Sequence, residues 1–247
     1  MAFARPFLAL AMAAASPRAL IIATAAATFE GQPEKPAGCW AEELMVPYQV
    51  WTAAGFEVDV ATPGGKPIPW TPDSLKADAK PKAVDEFMAD AAAAGKAAKP
   101  LSLADVDVGR DYAIVYVPGG HGAMVDLPDN ERLQQLLAQA WKRGAVLASV
   151  CHGPAALVRL QDPDAGAPLL KGRRVACFTN EEERTTGLQG DVPFLLEDEV
   201  KRAGATHEAA PAWQAHVVRD GRLVTGQNPA SSAKLAAVVL EVVREKQ

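Results

Sequence analysis

Short apolar runs recur along the chain, separated by stretches with helical spacing. Residues 18–24, RALIIAT, are a β-branched run that predicts a buried strand. A loop containing Gly and Pro, FEGQPEKPAG, leads into CWAEELMVPYQVWTAAG, whose apolar positions repeat as on a helix and which closes on Gly55 as a C′ residue. Pro47 lies inside this segment and predicts a kink or a restart. FEVDVAT, 56–62, alternates as a strand, and YAIVYVPGG, 112–120, is a second apolar strand ending in glycines. Residues 127–144 predict a helix with Asp129 or Asn130 near its cap. AVLASV, 145–150, predicts a strand, GPAALVRL the start of a helix, and RRVACFT, 173–179, a further strand. HVVRDGRLVTG, 216–226, predicts a hairpin turning at Asp220-Gly221, and Pro229 opens a last helix running to about Arg244.

Strands alternating with helices define an α/β fold: a flavodoxin-like, doubly wound, mostly parallel sheet with helices on both faces. Ligands of such folds bind outside the carboxyl ends of the strands. Three predicted strand ends carry PGGHG, VCHG and FTNEEE, so the chemistry is expected there. Residues 63–104 interrupt the alternation with a stretch rich in Pro, Lys and Ala, long for a simple β–α connection. They read as an insertion with one short helix near 83–94, either beside the site or as a solvated excursion. Residues 18–247 form one domain in this reading. Residues 1–17 are an N-terminal extension with an early arginine, a short apolar stretch and small residues. It reads as a secretory signal cleaved between Ala13 and Ser16, or as a ragged extension, and is too short to span a membrane as a helix.

Composition narrows the partners. A formal charge of −5, with no run of five Lys/Arg, argues against nucleic acid. Three cysteines, Cys39, Cys151 and Cys177, are too scattered for a disulfide framework or a zinc site. The expected compartment is the cytoplasm, or the periplasm if residues 1–16 are a signal; no membrane partner is expected.

The stretch ASVCHGPAAL places a cysteine where a strand turns into a helix. S-V-C-H-G is a cysteine relative of the nucleophile elbow, with Ser149 in the place of the first glycine. Gly153 is expected to allow the tight turn and Pro154 to open the helix. That helix would aim its N-terminus at Cys151, favouring the thiolate, and the backbone N–H of His152 would face an oxyanion. Cys177, inside an apolar strand, reads as core, and Cys39 carries no assigned role. His207 and His216 read as structural, His121 and Trp40 as pocket-lining, and Glu42 as solvated.

At this point the chain resembles the PfpI-like superfamily, related in fold to class I glutamine amidotransferases. It is most similar to the branch of heat-shock chaperones with glyoxalase III activity. The resemblance is carried by GCWAEELMVPYQVWTAAGFEVDVATPGG, YAIVYVPGGHGAMVDLPDN, SVCHGPAALV, LLKGRRVACFTNEEE, VPFLLEDEV and GRLVTGQNPASS. It implies that Cys151 is the nucleophile and His152 its neighbouring histidine. FTNEEE offers Glu181, Glu182 and Glu183, and the family spacing selects Glu183 as the acid completing the triad. The resemblance also implies that Glu43 hydrogen-bonds the nucleophile and that Gly120 supplies the second oxyanion N–H. Val46 stands where the family often has a histidine before the proline.

The implied activity is a glutathione-independent glyoxalase of the D-lactate dehydratase type, a lyase. It would convert methylglyoxal and similar 2-oxoaldehydes to 2-hydroxy acids through a cysteine hemithioacetal, with no metal and no cofactor. The alternatives are a holding chaperone for unfolded proteins, a protein or nucleotide deglycase, and a cysteine peptidase or amidohydrolase. A histidine directly after the cysteine argues against glutamine amidotransfer. A homodimer is implied by the resemblance only.

Overall fold

The computed structural model describes residues 16–76, 80–107 and 112–246. The extension assigned to residues 1–17 lies outside this range except for Ser16 and Pro17. Seven strands form the main sheet, in the order Val217–Asp220, Leu223–Gly226, Val146–Val150, Tyr112–Val117, Arg18–Ile22, Glu57–Thr62, Leu101–Ser102. All neighbours pair in parallel except the hairpin Val217–Asp220 with Leu223–Gly226. Numbered along the chain, the five central strands follow the order 2-1-3-4-5 of flavodoxin-like sheets.

The alternation of side chains explains the layers. Ile21, Val60, Tyr116, Ala148 and Val224 face one way and pack with the helices Ala41–Ala53 and Ser232–Arg244. Leu20, Ile22, Val115, Val117 and Leu147 face the other way, against Glu131–Lys142 and Leu196–Arg202. A sheet covered on both faces needs apolar residues at consecutive positions, and its strands supply them.

Several elements depart from the sequence pattern. RRVACFT predicts a main-sheet strand, but only Arg174–Val175 is a strand, paired with Thr206–His207 in a separate two-stranded sheet. The place beside Leu223–Gly226 is already taken by its hairpin partner. GPAALVRL predicts a helix; the chain makes a five-residue 3-10 turn, Gly153–Leu157, and passes into the strand Gln161–Asp162. Pro163 holds Asp162 out of the helical region. The two residues between the hairpin strands are Gly221 and Arg222, not Asp220-Gly221, and Gly221 takes φ 59°. The insertion holds two helices, Lys82–Ala89 and Ala91–Ala98, rather than one. It is not a solvated excursion: Val84 and Phe87 are buried in the core beneath Tyr48.

Pro47 sits within Ala41–Ala53 without ending it. Proline has no N–H to give the carbonyl four residues back, which belongs to Glu43. The hydroxyl of Tyr116 donates to that oxygen instead, at 2.6 Å, in a buried position. Tyr116 is itself fixed edge-on against Trp51, with ring centroids 5.2 Å apart. Replacing Tyr116 by Phe leaves the carbonyl buried and unpaired, so stability falls by about 1–3 kcal/mol. The corresponding drop in Tm, roughly 2–10 °C by thermal melting, checks this; an unchanged Tm would mean that the helix closes the gap unaided.

Candidate active site

Three strand ends and one helix start converge. Val146–Val150 ends at Cys151, which takes φ 58°. A left-handed conformation at a residue bearing Cβ is strained and persists only where its surroundings impose it. Here the Cys151 N–H donates to Gly226 O and its carbonyl accepts from Phe178 N–H, each at 2.9 Å. The positive φ therefore falls on the cysteine. Gly153 is needed for space: a Cβ there would lie 2.3 Å from Val117 O and 2.5 Å from Ser149 Oγ.

Tyr112–Val117 ends in Pro118, Gly119 and Gly120, and Gly120 takes φ 89°. A Cβ on Gly120 would strike Gly38 O at 2.4 Å and Trp40 N at 2.6 Å. The Gly120 N–H is directed to the Cys151 sulfur. The Gly119 N–H donates to Glu43 Oε2 at 2.7 Å. Gly119 also lies against the His152 amide, since a Cβ there would approach His152 N at 2.6 Å.

Glu43, on the first turn of Ala41–Ala53, is fully buried. Its Oε1 has no hydrogen-bond partner of ordinary geometry, yet the carboxyl and the Cys151 thiol are close enough to shift each other's proton affinity. Burial pushes the Glu43 carboxyl well above the usual carboxylate range, against the opposing hydrogen bonds of Cys151 and Gly119. Burial also pushes the Cys151 thiol up, followed by the Glu43 carboxyl; the Gly120 N–H acts in the opposite direction. The helix-terminus reading, which expects a depressed thiol, is thus corrected. A five-residue 3-10 turn offers little dipole, and desolvation dominates. Glu42 is not solvated either: half-buried, it is pushed up to about 7 by burial.

His152 Nδ1 lies 3.3 Å from Cys151 Sγ, and its Nε2 lies 2.7 Å from Glu183 Oε2. Burial, and then His121, hold the imidazole down at about 4. Burial alone would raise Glu183, but hydrogen bonds from His121 and His152 hold its carboxyl far below the usual range. His121 Nε2 reaches the other oxygen, Glu183 Oε1, at 2.9 Å. With Glu183 ionised, each histidine donates from Nε2, which leaves His152 Nδ1 as the acceptor facing the thiol.

His121, His152 and Glu183 are the only cluster among the described residues whose donor atoms converge enough for a metal ion, lying within 4.8 Å of one another. Those atoms are already joined by hydrogen bonds.

Sequence reasoning assigns no role to Glu182, Phe178 or Trp213. Glu182 forms a capping box with Thr179 on Asn180–Thr186. The T-x-x-E spacing in FTNEEE carried that signal. Phe178 and Trp213 line the pocket with Trp40, Thr71, Pro72, His121 and Cys151. Cys177 is buried, and Cys39, also buried, forms a backbone β-bridge with Trp70. Among the described residues no helix is long and apolar enough to cross a membrane.

Comparison with known proteins gives the arrangement its context. The chain is 32% identical over 217 residues to glyoxalase 3 of Candida albicans, covering 83% of this chain and 89% of that protein. It is 30% identical over 213 residues to the glutathione-independent glyoxalase HSP31 of Saccharomyces cerevisiae, covering 84% and 90%. The crystal structure of glyoxalase III from Candida albicans superposes with a TM-score of 0.83 at 28% identity, over 92% of this chain and 97% of that one. The model of the DJ-1/PfpI family matches residues 38–242, which include Glu43, the Gly119-Gly120 turn, the Cys151 elbow and the helix bearing Glu183. Over that span, the chain belongs to the DJ-1/PfpI family.

Proposed function

We propose that this protein is a glutathione-independent glyoxalase, a lyase that converts 2-oxoaldehydes to 2-hydroxy acids through Cys151. The observation that carries this reading is the buried contact between a thiol and a carboxyl of raised proton affinity, at the floor of a pocket. Relatives bearing the name glyoxalase over most of their length support it.

The resting site holds three groups in neutral form: the Cys151 thiol, the Glu43 acid and the His152 imidazole. As sulfur adds to the aldehyde carbon, its proton passes to His152 Nδ1 and Glu43 protonates the aldehyde oxygen. The N–H groups of Gly120 and His152 stabilise that oxygen while it is negative. Glu43, now a carboxylate, takes the hydrogen from C1 while the imidazolium protonates the C2 oxygen, giving an enediol. Glu43 then returns its proton to C2 and the C1 hydroxyl proton goes back to His152, leaving a 2-hydroxyacyl thioester. Water attacks the thioester as Glu43 takes its proton, and the imidazolium reprotonates the departing sulfur. The hydroxy acid leaves with the site reset. Glu183 holds His152 in its tautomer and stabilises the imidazolium. The thiol replaces the glutathione that a hemithioacetal otherwise requires, and a reducing compartment such as the cytoplasm suits it.

With methylglyoxal and no glutathione, the wild type is expected to form D-lactate. Cys151→Ala is expected to abolish it, and Glu43→Gln to lower kcat by roughly 10²–10⁴-fold. Absence of lactate from the folded wild type removes the reading. The pH profile follows from the sign of the shifts. His152 must be neutral and is protonated only near 4, so the acid limb of kcat/KM lies near pH 4 and not near 6.5. Glu43 must be protonated, so activity is lost as pH rises through its elevated value. An acid limb near 6.5 would contradict a buried neutral His152.

The same histidine makes folding pH-dependent. Unfolded, it binds a proton near 6.5; folded, near 4. Between those values the unfolded chain holds more protons, so His152 takes stability away as pH falls from 6.5 to 4. Denaturant titrations across that range are expected to show a slope that a His152→Asn variant loses.

A further inference from the structure

The pocket over Cys151 is larger than methylglyoxal requires. It encloses about 440 Å³, within the range that buries drug-sized ligands, whereas methylglyoxal has five non-hydrogen atoms. The surplus is walled by rings. His152 lies against Phe178 at a tilt of 36° with centroids 4.4 Å apart, and Phe178 meets Trp213 edge-on at 5.6 Å and 72°. Trp40 lines the same pocket. The two charged side chains in the wall are ion-paired, Lys35 with Asp191 and Asp73 with Lys76, so the wall favours an uncharged substituent.

Trp213 stands out on two counts. It is 49% exposed, against the usual burial of large aromatics. It also takes φ 65°, and the only other non-glycine residue with positive φ among those described is Cys151. Such strain is imposed from outside, here by the buried Glu182. Glu182 Oε1 accepts from the Trp213 N–H at 2.8 Å, from Gln227 Nε2 at 3.1 Å and from Asn228 Nδ2 at 2.8 Å. Its Oε2 accepts from Thr179 N and Oγ1, each at 3.0 Å. A carboxyl group with five hydrogen bonds thus anchors the backbone of Trp213, whose half-exposed indole stands at the pocket wall. No proton transfer between C1 and C2 of a methyl-bearing substrate uses it.

We propose that the preferred substrates are 2-oxoaldehydes bearing an aromatic group, and that Trp213 is the residue that selects them. The substrate ring lies against the Phe178–Trp213 wall while the aldehyde carbon meets Cys151. This inference rests on the glyoxalase reading. The bond changes are those given above: sulfur adds to C1, the C1 hydrogen moves to C2, water cleaves the thioester, and an aryl-substituted hydroxyacetate leaves.

The test measures kcat/KM for phenylglyoxal and for methylglyoxal, both without glutathione, following mandelate and lactate. Wild type is expected to favour phenylglyoxal by about tenfold or more. An aromatic pair contributes about two- to tenfold, so Trp213→Ala is expected to lower the phenylglyoxal-to-methylglyoxal ratio by that factor, and Trp213→Phe to restore most of it. Trp213→Gly removes the ring and also the left-handed strain, and keeps the test readable if the alanine variant is unstable. A wild-type ratio of one or less, or a ratio unchanged in both Trp213→Ala and Trp213→Gly, overturns the inference. A wild type that converts methylglyoxal but not phenylglyoxal overturns this inference alone. A wild type that converts neither overturns the glyoxalase reading with it.

Discussion

A carboxyl group kept out of water beside a thiol is the constraint around which the molecule is arranged. Removing a carboxylate from water is costly, so burial pushes the proton affinity of Glu43 up. Holding it there takes parts from all over the fold. Gly119 approaches so closely that a Cβ would lie 2.8 Å from Glu43 Oε2. Tyr116, on a central strand, completes the helix that carries Glu43 where Pro47 cannot. The flavodoxin-like strand order brings the ends of three strands to one rim, where such parts meet.

Two adjacent glutamates illustrate how one short helix serves two purposes. Successive residues on a helix point about 100° apart. On Asn180–Thr186, Glu183 therefore turns to the two histidines, while Glu182 turns to Trp213, Gln227 and Asn228. The first holds the imidazoles of His121 and His152; the second joins the NEEE helix to the segments that frame the pocket.

Much of the fold was legible because buried parallel strands announce themselves as apolar runs. The five central strands lie within the runs read from sequence, and Asn130 caps its helix by accepting from the Leu133 N–H. RRVACFT failed because its composition suits a central strand, while its exclusion from the main sheet depends on a neighbour some forty residues later in the chain. Of the site, the Cys151-His152 pair could be read locally. The burial of Glu43 could not, since a glutamate in a first helical turn looks solvated whatever lies above it. His121 reaches Glu183 across 62 residues, and Trp213 sits in APAWQAH, which has neither helical nor strand period. The left-handed backbone at Cys151 and Trp213 has no signature in side-chain chemistry at all.

The main chain at Cys151 is clamped on both sides: its N–H is tied to Gly226 and its carbonyl to Phe178. A sulfur mounted in this way behaves like a jaw of a vice rather than a hinge. In the proposed reaction, loading and discharging an acyl group there would displace the guest and the rings around it rather than the peptide. Each turn of that proposed cycle would begin from the same backbone position at Cys151.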